Sequence, residues 1–164
     1  MLSPTTGYAA LALALLAKAG GQSVRVQYVA DRCGIPGPYL SKIIHTLARN
    51  GLVGTRRGVG GGAWLAADAR EITLLRLCEL LDDPVLERSC LLGLPMCRPD
   101  GACSAREFCG PQRDHLVEYL RGVTLADFAE RIFGDDDARP DGAGGQWPRV
   151  IRSDRFGPRQ PPRA

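Results

Sequence analysis

The sequence predicts a mainly α fold: a winged helix-turn-helix with a small β-hairpin wing, continued by a long C-terminal dimerisation helix. Three observations carry that expectation. Apolar residues recur at helical spacing through most of residues 1–133. A turn built on Gly34, Pro36, Gly37 and Pro38 joins two of those periodic segments, and a glycine-rich stretch between two short apolar runs follows them directly.

Taken in order, "TTGYAALALALLAKAGG" is apolar nearly all round, rich in good helix formers, and stopped by Gly20-Gly21, so it predicts a buried helix. Next, Val26, Val29, Ala30 and Cys33 form one stripe of a second helix, which assigns Cys33 to the core as a small hydrophobe. "GIPGP" cannot continue a helix, and Pro38 suits the first position of a new one running to Asn50-Gly51. In that third helix Leu40, Ile43, Ile44 and Leu47 make the buried stripe, leaving Tyr39, Ser41, Lys42, His45 and Arg49 on other faces. Leu52-Val53 and Ala63 to Leu65 then flank a glycine-rich tip carrying Arg56 and Arg57, the pattern of a basic hairpin. Gly60, Gly61 and Gly62 are not a phosphate cradle, because no Lys-Ser/Thr follows and no helix opens there.

Thr73 starts a further helix with Leu74, Leu77, Cys78 and Leu81 on one stripe, and Asp82-Asp83-Pro84 ends it. Helical periodicity is expected to resume at Pro111, through Leu116, Tyr119, Leu120 and Val123, then Leu125, Phe128, Ala129 and Ile132. Gly122 and the capping-box pattern Thr124 to Asp127 break it into a long helix and a shorter one, or kink it. So wide an apolar face suggests a dimer interface. The last thirty residues are Pro-, Gly-, Asp- and Arg-rich without periodicity and are expected to be disordered, with Trp147 as a candidate anchor.

Charge is distributed unevenly. The formal net charge is only +3, but residues 1–66 hold seven Lys/Arg against one acid, residues 67–138 are net −7, and residues 139–164 are net +4. A basic N-terminal segment is the electrostatic footprint of a partner to a polyanion, with double-stranded DNA the first expectation. The longest strongly apolar stretch, Tyr8 to Ala19, is too short to span a bilayer, and no Lys or Arg precedes Lys18 to make a signal peptide. A cytoplasmic protein that engages no membrane is expected. An enzyme is not: His45 and His115 have no triad or metal-hydrolase context, and the carboxylates are scattered.

Six cysteines in such a chain favour metal or redox chemistry over a disulfide framework. Cys33 and Cys78 stand alone, whereas Cys90, Cys97, Cys103 and Cys109 fall within twenty residues of turn-forming sequence, separated by six, five and five residues. Thiolates select zinc, copper(I) or iron-sulfur clusters, and the absence of a tight knuckle disfavours zinc. Wide, even spacing suits an iron-sulfur cluster. Zinc, a reversible disulfide switch and no cofactor remain as alternatives.

Taken together, "GYAALALALLA", "VADRCGIPGPYLSKIIHTLARNGLVGTRRGVGGGAWLA", "EITLLRLCELL" and the following cysteines resemble the IscR/NsrR-type iron-sulfur winged-helix transcriptional regulators (Rrf-type family), over residues 3–133. The resemblance implies a homodimer crossed through a long C-terminal helix, and a cluster (2Fe-2S or 4Fe-4S) whose state controls binding to a palindromic promoter operator. It implies Cys90, Cys97 and Cys103 as ligands. Where the family places its fourth, non-cysteine ligand, this chain has Gly7 and Arg106, so Cys109 is the replacement and His115 the second choice. Tyr39, Ser41, Lys42, Arg56 and Arg57 are the expected DNA contacts, from a recognition helix in the major groove and a wing on the minor groove or backbone. The expected organisation is a DNA-binding domain over 1–67, a linking helix over 68–84, a cluster-binding loop over 85–110, a dimerisation helix region over 111–134 and a tail over 135–164. The expected function is a repressor or activator responding to iron-sulfur status or to oxidative or nitrosative stress. A metal-free thiol/disulfide redox sensor is the alternative.

Overall fold

The computed structural model describes residues 1–58, 60–87, 90, 103 and 105–134. Helix α1, Pro4–Lys18, is the central element. Ser3 caps it by accepting the Thr6 N–H at 3.3 Å, and Pro4 opens it where an N–H would have no helical partner. Ala9 through Leu16 are all buried, as an all-apolar helix must be in a small domain.

Helices α2, Val26–Cys33, and α3, Gly37–Arg49, pack on α1 and on each other. Gly34 ends α2 in the left-handed region, φ 64°, where its N–H still reaches the Ala30 carbonyl. Leu40, Ile43, Ile44 and Leu47 face the core as their spacing requires. Helix α3 opens at Gly37, so Pro38 stands second, not first; both positions lie in the turn where no N–H is needed.

Strand β1, Val53–Arg56, pairs antiparallel with β2, Gly62–Leu65, in register from Val53 opposite Leu65 to Arg56 opposite Gly62. The expected wing is therefore present. A bridge that the sequence did not reveal lines its other edge: Val24 and Ala63 exchange both backbone hydrogen bonds at 2.8 Å. A single bridging pair has no periodicity to read. Gly62 makes room for it, since a Cβ there would lie 2.3 Å from the Val24 carbonyl oxygen.

Within residues 68–84 the helix itself is short: α4, Leu74–Leu80, capped by Thr73. It ends in a Schellman motif, with Asp82 at φ 48°, its N–H on the Glu79 carbonyl and the Asp83 N–H on the Cys78 carbonyl. A 3-10 turn, Pro84–Leu86, follows.

The expectation that helix resumes at Pro111 is corrected. Helix α5 runs Arg106–Gly122, starting five residues earlier, with Pro111 inside it. So near the N-terminus the proline forfeits only the bond to the Glu107 carbonyl, and the helix tolerates it. The predicted break at Gly122 is found: Thr124 and Asp127 form a reciprocal capping box that opens α6, Leu125–Phe133.

Helix α6 turns back onto α1, burying Leu125, Ala129 and Phe133, and Lys18 pairs with Glu130 at 2.6 Å. The apolar face that suggested a dimer interface is thus partly consumed inside the chain. What stays exposed is on α5, where Phe108 and Tyr119 keep 61 % and 49 % of their surface. Among the described residues no helix is long and apolar enough to cross a membrane. The expected disorder of 135–164, with Trp147, concerns residues outside those described.

Candidate nucleic-acid interface and cysteine segment

The core of α3 dictates its outer face. With Leu40, Ile43, Ile44 and Leu47 turned inward, Ser41, Lys42, His45, Thr46 and Arg49 are all exposed on the opposite side. The hydroxyls of Ser41 and Thr46 donate to the Gly37 and Lys42 carbonyls at 3.0 and 3.2 Å, which leaves their oxygens free to accept. The side chains of Lys42 and Arg49 make no hydrogen bond or ion pair among the described residues. This is a cationic, hydrogen-bonding helix face of the kind that enters a major groove.

Tyr39 is placed differently from Ser41 and Lys42. It is half-buried, its hydroxyl lies 2.5 Å from Thr5 Oγ1, and its ring stands edge-on to Tyr8 with centroids 5.8 Å apart. Tyr39 holds the first turn of α3 against α1, while Ser41 and Lys42 face outward. Thr46 was missed by sequence reasoning, and His45 and Arg49 were noted only as lying off the core. The complement of the buried stripe would have found all three.

On the wing, Arg56 closes β1 and donates to the Gly60 carbonyl at 3.2 Å, bracing the tip. Arg57 is exposed beside it with no partner among the described residues. Trp64 lies across Gly54 on the paired strand, where a Cβ would meet the indole at 2.2 Å. The indole stiffens the hairpin that carries both arginines.

The two cysteines expected in the core are found there. Cys33 and Cys78 are buried. Burial pushes the Cys33 thiol up to about 12, with Arg32 opposing, and burial, then the charges of Asp83 and Glu79, pushes Cys78 up to about 11. Both are neutral, inert thiols at pH 7. Cys90 and Cys109 are half-buried and Cys103 is exposed; Cys97 lies outside the described residues.

Cys109 is not in a loop. It sits in the first turn of α5, its N–H on the Ala105 carbonyl at 2.8 Å. One turn on, Arg113 shares that helix face and donates to the carbonyls of Leu86 and Glu87. The segment leading to Cys90 is thereby tied to the face that bears Cys109. His115, exposed and six residues past Cys109, lies about 9 Å further along and on another side of the helix. Among the described residues no cluster of three or more His, Cys, Asp or Glu side chains is close enough to hold a metal ion.

These features have counterparts in known proteins. Residues 2–131 match the family model described as Rrf2, iron-dependent transcriptional regulator. The chain is 31 % identical over 119 residues to the HTH-type transcriptional regulator IscR of Escherichia coli O1:K1 / APEC, covering 73 % of this chain and 72 % of that protein. Among solved structures, IscR of T. potens superposes with a TM-score of 0.60 at 26 % identity, over 80 % of this chain and 87 % of that one. CymR, the global cysteine regulator of B. subtilis, gives 0.64 at 24 % identity over 80 % of this chain and 97 % of that one, which shows the shared winged-helix fold. The chain therefore belongs to the Rrf2 family of DNA-binding transcriptional regulators, proteins that act by occupancy of DNA and not by catalysis.

Proposed function

We propose that this regulator is a homodimer whose affinity for a palindromic operator is set by an iron-sulfur cluster held by Cys90, Cys97, Cys103 and Cys109, with His115 as the second choice for the fourth ligand. The observation that carries this reading is the Arg113 grip on the Leu86 and Glu87 carbonyls, which brings the approach to Cys90 onto the face of α5 that bears Cys109. Two half-buried thiols, Cys90 and Cys109, and an exposed third, Cys103, make a soft donor set, suited to a thiolate-bound group. Such a cluster supplies reactivity toward oxidants, nitric oxide and iron loss.

The chain's own residues supply the DNA contact. Lys42 and Arg49 offer charge along α3, Ser41 and Thr46 offer hydroxyl acceptors, and Arg57 extends from the wing, braced by Arg56 through Gly60. Phe108 and Tyr119 on α5 supply exposed apolar surface for a second copy. The cell compartment in keeping with this role is the cytoplasm.

The test is anaerobic purification followed by a visible spectrum with iron and acid-labile sulfide assays. Broad visible absorbance with stoichiometric iron and sulfide is expected, bleached by Ser at Cys90, Cys97 or Cys103 and retained with Ser at Cys33 or Cys78. Loss of colour on C109S, with H115A unaffected, identifies Cys109 as the fourth ligand. A colourless, iron-free protein whose DNA affinity responds to thiol oxidants alone would replace the cluster with a disulfide switch.

A further inference from the structure

We propose that Asp83, Thr5 and Tyr39 form a positioning link that seats the first turn of α3 according to how the segment before Cys90 is held. This deepens the regulatory reading above and rests on it. Asp83 is 2 % exposed, yet it belongs neither to the DNA-facing surface nor to the clustered cysteines 90–109. Its Oδ1 accepts the Val85 N–H at 2.8 Å and its Oδ2 accepts the Ser3 N–H at 2.9 Å. One carboxylate thus joins the start of the cysteine segment to the N-cap of α1, where the helix dipole favours negative charge.

Thr5, two residues past that cap, meets the Tyr39 hydroxyl at 2.5 Å, and Tyr8, one turn further, meets the Tyr39 ring. Tyr39 lies within one turn of the outward-facing Ser41 and Lys42 on α3. The other end of the same segment is gripped by Arg113 from α5. Residues 83–87 are therefore held from two sides, by α1, whose Thr5 and Tyr8 contact Tyr39 of α3, and by the face of α5 that carries Cys109. A rearrangement of Cys90 relative to Cys109 pulls on Asp83, hence on the first turn of α1, hence on Tyr39. The contacts between elements at Ser3, Thr5 and Arg113 are directional hydrogen bonds, which transmit orientation where an apolar contact would slide.

The experiment is a mutant cycle on the full chain, read by hydrogen exchange of the peptide covering 37–49 and by DNA binding. D83N should speed exchange at the first turn of α3 about fivefold. In a T5V background that increase should vanish, because the link is already cut. R113K, on a more exposed side chain, tests the link from its other end if D83N fails to fold, and should show the same dependence on Thr5. Equal increases in both backgrounds, or none in either, would overturn the link. For binding, the probe is a duplex enriched from a random pool by the wild-type chain. T5V and Y39F should each weaken binding about fivefold with an unchanged salt slope, and no further when combined. Losses that multiply, or a loss with Y39F alone, would mean that Tyr39 acts on DNA directly, which also overturns the link. If the wild type enriches no duplex, the DNA reading fails, and the exchange cycle still decides whether the link exists.

Discussion

At the scale of single residues, Asp83 shows how one buried charge is settled. Burial raises its pKa, but hydrogen bonds from Thr6, Val85 and Ser3 outweigh burial and leave the carboxyl below its ordinary value. A folded-state pKa held below the unfolded one gives stability that is present above the unfolded pKa and lost as pH falls through the folded one. Wild-type stability should therefore decline below about pH 4, and D83N should flatten that decline while costing about 1–3 kcal/mol at neutral pH. Urea midpoints across that range test it, and an identical acid slope in D83N would assign the loss to other carboxylates. Two glycines make an opposite pair. Gly62→Ala drives a Cβ against the Val24 carbonyl and should cost about 1–3 kcal/mol. Gly7→Ala meets nothing within 4 Å on α1 and should add about 0.5–1 kcal/mol. Thermal midpoints moving in opposite directions would confirm both environments.

At the scale of elements, α5 offers a discriminating substitution. With Pro111 inside the helix, Pro111→Ala restores an N–H to the Glu107 carbonyl and should stabilise by about 1 kcal/mol or more. If the helix began at Pro111, alanine would instead forfeit a favourable first-turn residue, and the denaturation midpoint would fall. This is also where sequence reasoning reached its limit. Helices α1 to α3 were legible because their apolar stripes are long and their stops are glycines and prolines. The start of α5 was hidden because Gly110-Pro111 reads locally as punctuation, although the tertiary setting carries the helix through it. The return of α6 onto α1 was hidden because an apolar stripe does not say whether its partner is the same chain or another. In the candidate site, the outward placement of Ser41, Lys42 and Arg57 followed from the core pattern and the hairpin. The engagement of Tyr39 by Thr5 spans 34 positions, and that of Asp83 by Ser3 spans 80, and neither separation leaves a local signal.

At the scale of the whole molecule, charge and architecture favour the same side for the proposed DNA contact. Residues 1–66 carry the net +6, and the outer face of α3 and the wing gather Lys42, Arg49, Arg56 and Arg57 from it, while the following segment, net −7, would be repelled by phosphate. Binding should therefore be strongly salt-dependent, with a slope set by the number of phosphates neutralised. The two wing arginines should contribute unequally. Arg57 is unpaired among the described residues, so Arg57→Ala should make the log–log salt slope shallower by about one phosphate contact and weaken binding to all duplexes alike. Arg56 spends one donor on the Gly60 carbonyl, so Arg56→Ala removes charge and also loosens the tip that presents Arg57. Its loss of affinity should exceed that of Arg57→Ala, and the double variant should lose less than the sum. Titrations of the enriched duplex at several salt concentrations measure both quantities. A slope that both single variants leave unchanged would take the wing off the DNA backbone and leave α3 alone to account for affinity. A slope change without any change in preference between duplexes would place sequence discrimination on Ser41, Lys42, His45, Thr46 and Arg49.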